Sequence, residues 1–124
     1  MFYAGGALLI FTGVVHLVAA SLEMRRSWAK IAHRGWLDTV VLAPRSDEGK
    51  ERALAFWSAA GSFAFPLMLL GGLVVWLASE GREPPEWVGW SLLGYGALVA
   101  AIAPRGGFWA ILVSAAFLLA GAYA

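Results

Sequence analysis

Four long apolar runs alternate with short polar ones along the chain. The apolar runs are continuous and show no strict two-residue alternation, so they read as helices and exclude a β-barrel. The first covers about residues 2–22 and stops at the charged Glu23-Met24-Arg25-Arg26. The second covers about 53–78 and contains Pro66, which a helix in lipid tolerates with a bend. The third and fourth, about 87–103 and 108–123, are separated by the turn Pro104-Arg105-Gly106-Gly107. Runs of roughly 17–25 apolar residues match a hydrocarbon core about 30 Å thick.

Residues 27–42 follow another pattern. Trp28, Ile31, Trp36, Leu37, Val40 and Val41 are interleaved with Lys30, His33, Arg34 and Asp38. This stretch is too short and too charged to span. It reads as an amphipathic segment at the interface, with Trp28, Arg34 and Trp36 at headgroup depth. The fold class expected is all-α: one domain, residues 1–124, forming a four-helix transmembrane bundle with an interfacial segment between its first two helices.

Composition agrees. The chain is 60% hydrophobic and 14% charged, with a mean hydropathy of +0.72, where soluble domains run at about 45–50% apolar and about 25% charged. It has no cysteine, which removes disulfides, thiolate metal sites and thiol nucleophiles. With two histidines, a zinc site would need carboxylates, and neither a metal nor a cofactor is expected. The basic residues are mixed with acids and no recognition motif appears, so nucleic acid is not an expected partner.

Net charge is +1, but its distribution matters more. The loop between the first two helices and the Arg105 turn hold eight Lys or Arg, whereas the loop between the second and third holds Arg82 alone among Glu80, Glu83 and Glu86. The positive-inside rule then places loop 23–52 in the cytoplasm and both termini outside, in a multi-pass protein of the inner (plasma) membrane. Met1-Phe2-Tyr3 lacks a basic side chain, so the first run is not expected to be a cleaved signal.

His16 lies inside the first run. Ionisable groups at membrane depth cost free energy and face the bundle interior or a wet cavity. At about 100° per residue, Gly5, Thr12, His16 and Glu23 share one face of that helix. Thr12, four residues before His16, is placed to bond the imidazole. On the later helices, Ser58, Ser62, Trp57 and Tyr95 are candidate partners of a ligand or proton, while small residues at the same positions serve close packing on the plainer reading. The remaining tryptophans fall mostly at helix ends, where aromatic belts account for them.

Ala55-Phe56-Trp57, Phe65-Pro66-Leu67 with Leu70-Gly71-Gly72, Pro84-Pro85-Glu86-Trp87-Val88-Gly89-Trp90, Ala103-Pro104-Arg105-Gly106-Gly107-Phe108-Trp109 and Gly13-Val14-Val15-His16 together form a pattern. It resembles an uncharacterised family of small bacterial four-helix integral membrane proteins. The resemblance supports the topology and the choice of His16, and implies no activity. Gly106 stands where that family usually has a small polar residue.

The function expected is binding of a small hydrophobic molecule or lipid within the bundle, with His16 as polar anchor, in contact with the bilayer and in a possible homo-oligomer. Two alternatives stay open. One is a homodimeric proton-coupled exporter. The other is a membrane enzyme using His16 as general acid or base, against which no second carboxylate or nucleophile is found at depth.

Overall fold

The computed structural model describes residues 1–35, 39 and 46–124. Six helices are described: α1 (Phe2–Glu23), α2 (Arg25–Arg34), α3 (Asp47–Ser58), α4 (Ala64–Ser79), α5 (Glu86–Ile102) and α6 (Trp109–Ala122). Among the described residues there is no strand, as the continuous apolar runs require. The chain divides into two compact units. One comprises Met1–Gly13 with Pro66–Ala124, the other Val14–Phe65.

In the first unit, glycine permits backbones to touch. A Cβ on Gly71 of α4 would stand 2.6 Å from the carbonyl oxygen of Gly6 on α1, and one on Gly6 would stand 2.9 Å from that of Gly71. On α1 again, Gly5 faces Leu118 and the Ser114 carbonyl of α6. Gly89 and Gly96 of α5 receive Leu119 and Leu112 of α6. The packing order is therefore α4, α1, α6, α5. Ser114 is fully buried, and its hydroxyl is satisfied within its own helix by donating to Ala110 O at 2.8 Å. At the other side of the α5–α6 pair, Trp90 Nε1 donates to Tyr123 Oη at 3.3 Å, and Tyr123 Oη donates to Glu86 at 2.8 Å.

Large side chains point outward from this unit. Leu69 is 74% exposed, Ile102 75% and Trp87 68%. Leu9, Val74, Ile111 and Leu118 are buried in it beside the glycine contacts, so bulky apolar side chains both fill the unit and cover its outside.

The second unit is held by charge as well as by packing. Ile31 of α2 and Ala55 of α3 are fully buried. Between these helices, Ser27 Oγ donates to one Glu51 oxygen at 3.0 Å and Lys30 Nζ to the other at 3.2 Å. These bonds, Lys30 first and then Ser27, hold the Glu51 carboxyl below its ordinary pKa. Ser46 caps α3 by accepting from Gly49 N at 3.2 Å, and Asp47 and Glu48 in the first turn complement the helix dipole. Of the expected interfacial segment, α2 is helical and Trp28 is half-buried. Trp36 and the Arg34 side chain lie outside the described residues, as do 37–38 and 40–45.

The second apolar run departs from expectation. In place of one helix over 53–78, α3 ends at Ser58 and α4 starts at Ala64. Pro66 explains the restart. Deep in a continuous helix it would remove one hydrogen bond and clash with the carbonyl four residues earlier. As the third residue of α4 it sits where backbone N–H groups have no helical partner anyway. Ser62 Oγ accepts from Ala64 N at 3.2 Å and helps to start the new helix. The break changes the lengths. α4, α5 and α6 have 16, 17 and 14 residues. Among the described helices only α1, with 22, is by itself long and apolar enough to cross a membrane. Four such helices, as the hydropathy pattern suggests, are not found among the described residues: the break at 59–63 shortens the second run, and the third and fourth form helices of 17 and 14 residues.

Gly71→Ala should destabilise the fold by about 1–3 kcal/mol, since its new methyl meets backbone that cannot turn aside. Gly72→Ala, one residue on and open to at least 4 Å, should be neutral or stabilising. Chemical unfolding of the two variants under the same conditions compares them directly.

Candidate functional site

The break between α3 and α4 creates an unpaired acceptor. Ser58 is the last residue of α3, and the N–H four residues on, that of Ser62, bonds Ala59 O at 3.1 Å instead. The Ser58 carbonyl is met by a side chain from α1: His16 Nε2 lies 3.0 Å from it. A carbonyl oxygen only accepts, so Nε2 carries the hydrogen. In the neutral ring Nδ1 is then the acceptor nitrogen. The imidazole is also packed against Phe63, with ring centroids 4.5 Å apart and planes inclined at 41°.

This contact forms one wall of an open cleft of about 370 Å³ within the Val14–Phe65 unit. From the α1 side it is lined by His16, Ala20, Glu23 and Met24. The first three stand at i, i+4 and i+7, which is one face of a helix. The other wall is Trp57, Ser58, Ser62 and Phe63, the end of α3 and the turn after it. Trp57 meets Phe56 edge to face at 5.2 Å. Its Cε3 lies where a Cβ on Gly61 would come within 2.5 Å, so glycine at 61 leaves the indole its place. The two serine hydroxyls are committed to backbone: Ser58 Oγ donates to Leu54 O and Ser62 Oγ to Ala59 O, each at 2.6 Å.

The structure thus gathers His16, Glu23, Trp57, Ser58 and Ser62, five of the seven candidates read from sequence. Thr12 does not join them. Its hydroxyl donates to Leu8 O at 2.7 Å, because a carbonyl one turn back is always in reach of a helical threonine, and the expected bond to the imidazole is replaced. Tyr95 belongs to α5, is 41% exposed and does not line the cleft. Phe63 and Met24 escaped the sequence reading. Phe63 was hidden by the assumption of an unbroken helix, although Gly61-Ser62 shortly before Pro66 is a readable stop-and-start signal. Among the described residues no group of three or more His, Asp or Glu is placed to hold a metal ion.

A helical chain whose broken second apolar run is capped by a histidine of the first is the class these features define. The chain belongs to DUF6463, a family of unknown function whose profile matches residues 2–124. No curated protein matches it, and no solved structure does.

The His16 bond should be measurable as stability. His16→Phe keeps a ring against Phe63 but leaves the Ser58 carbonyl without its donor, at a cost of about 1–3 kcal/mol. Hydrogen exchange should show the loss as faster opening of the 59–63 turn and the end of α3.

Proposed function

We propose that this chain is an integral membrane protein that binds a small hydrophobic molecule in the cleft beside His16. The observation that carries the reading is the anchored imidazole. Nε2 is tied to Ser58, and Nδ1 makes no hydrogen bond among the described residues, so it is left for a guest. Trp57, Phe63, Ala20 and Met24 supply apolar walls. A concave site, mostly apolar with a few fixed polar groups, is the usual form of a small-molecule site. At about 370 Å³ its volume lies at the lower end of such pockets, about 300–1,000 Å³.

Membrane integration is supported by three features. α1 runs about 33 Å at about 1.5 Å per residue, enough for the hydrocarbon core. The Gly-to-Gly contact of α1 and α4 is the packing that lipid favours, since apolar burial alone gives helices no reason to associate there. Leu69, Leu73, Trp76, Leu98 and Ile102 are half or more exposed, and water would penalise so much bulky apolar surface. We read α4, α5 and α6 as three further spans. They are about 21–26 Å long, and local thinning of the bilayer accommodates the shortfall at modest cost. In this arrangement the cleft lies near the cytoplasmic end of α1, with Glu23 at headgroup level and loop 23–52 inside.

The chain's lack of cysteine gives a direct test of orientation. Glu83→Cys should react with a membrane-impermeant maleimide in intact cells, and Ser46→Cys only after lysis. Reversal of that pattern would invert the topology, and labelling of both only after lysis would argue against insertion. For ligand binding, native mass spectrometry of the chain released from bilayer discs should retain a small apolar molecule. His16→Ala should lose it at least tenfold, and Tyr95→Phe should keep it. A wild-type chain that emerges bare would sink the binding function.

A further inference from the structure

A donor and acceptor account of the cleft narrows what it can hold. His16 has committed its Nε2–H to the Ser58 carbonyl. The Ser58 and Ser62 hydroxyls have given their hydrogens to Leu54 O and Ala59 O. Glu23, ionised, only accepts. Each of these four side chains therefore has acceptor capacity left and no hydrogen to offer. Among the described lining residues Trp57 carries the one uncommitted side-chain donor, on the indole edge opposite the Cε3 and Cζ3 atoms that lie on Gly61. Among the described residues no Lys or Arg lines the cleft, and Arg25 and Arg26, next along the chain, are exposed.

We infer that the guest is an amphiphilic ammonium, an aliphatic chain ending in a protonated primary amine. This rests on the reading of the cleft as a binding site. A primary ammonium has three N–H donors and no acceptor, the complement of the four acceptor side chains. Its charge is matched by the Glu23 carboxylate, and a cation is attracted to the faces of Trp57 and Phe63. An alcohol would leave Glu23 uncompensated. A fatty acid would set one carboxylate against another with no cation in the lining to separate them. Glu23 stands seven residues from His16, about 10 Å along α1. The ammonium accordingly sits over Ala20, between the Glu23 carboxylate and His16 Nδ1, with the chain against Trp57 and Phe63. The same head occurs on a free alkylamine and on an ethanolamine lipid.

The test uses the full chain in phosphatidylcholine discs at pH 7.5, titrated with dodecylamine, dodecanol or dodecanoate. Binding is read as the emission change of Trp57, taken as the difference from Trp57→Phe. Dodecylammonium should saturate at a concentration at least tenfold lower than either of the others. Glu23→Gln, a change at an exposed position, should raise that concentration at least tenfold and leave the dodecanol curve in place. If dodecanol or dodecanoate binds as well as the amine, or Glu23→Gln has no effect, the ammonium assignment is overturned while the cleft stands as a binding site. If none of the three gives a saturable response, the assignment fails together with the binding function. Phosphatidylethanolamine discs then separate the sources. A competitive shift of the dodecylamine curve supports the lipid headgroup, and an unshifted curve supports the free amine.

Discussion

The hydrogen bond from His16 to the Ser58 carbonyl is the contact on which the Val14–Phe65 unit depends. It joins two facts that are separate in the sequence. Pro66 is placed where a continuous helix cannot accept it, so α3 stops and leaves carbonyls without partners. An imidazole inside an apolar helix needs a polar partner. The two needs are met at 3.0 Å. The bond fixes which ring nitrogen holds the hydrogen, orients the ring against Phe63 and opens a cleft bounded by the same turn. A serine or threonine at 16 would be too short to reach across from α1 while also presenting an aromatic face.

The first unit works by a different rule. Its helices meet at Gly5, Gly6, Gly71, Gly89 and Gly96, beside buried Leu9, Val74, Ile111 and Leu118, while many other large residues are turned out. The absence of side chains at the contact allows backbone approach, which brings many weak dispersion contacts into range. Gly71 and Gly72 show how local the requirement is. A methyl at the first meets a carbonyl oxygen, and a methyl at the second meets nothing. In both units several hydroxyls are satisfied close to home. Thr12, Ser58 and Ser114 each donate to the carbonyl four residues back.

Much of the site was legible. His16 stands out because an ionisable group in an apolar run has few acceptable surroundings, and helical periodicity puts Ala20 and Glu23 on its face. Trp57, Ser58 and Ser62 were legible as candidates by type. Their meeting with His16 was not, because the reading carried one helix through 59–63, and a helix kept intact would have no free carbonyl at Ser58. Tyr95 belongs to the other unit and is not among the residues that line the cleft. Residue type marks a side chain that needs a partner, and it does not say which helix comes near. For Thr12 the nearest carbonyl won over the more interesting neighbour, since a bond within one turn needs no ordering of a second element.

By itself, the sequence determined the all-helical class, the apolar runs and their charged stops, and the need of His16 for shelter. These are local matters of period, propensity and charge. The tertiary structure alone decided that Gly6 lies on Gly71, that α2 and α3 are clasped through Glu51, and that the histidine of α1 closes the end of α3. Those pairings join residues 21 to 65 positions apart. Such contacts depend on how whole helix faces fit, which no short stretch of chain records.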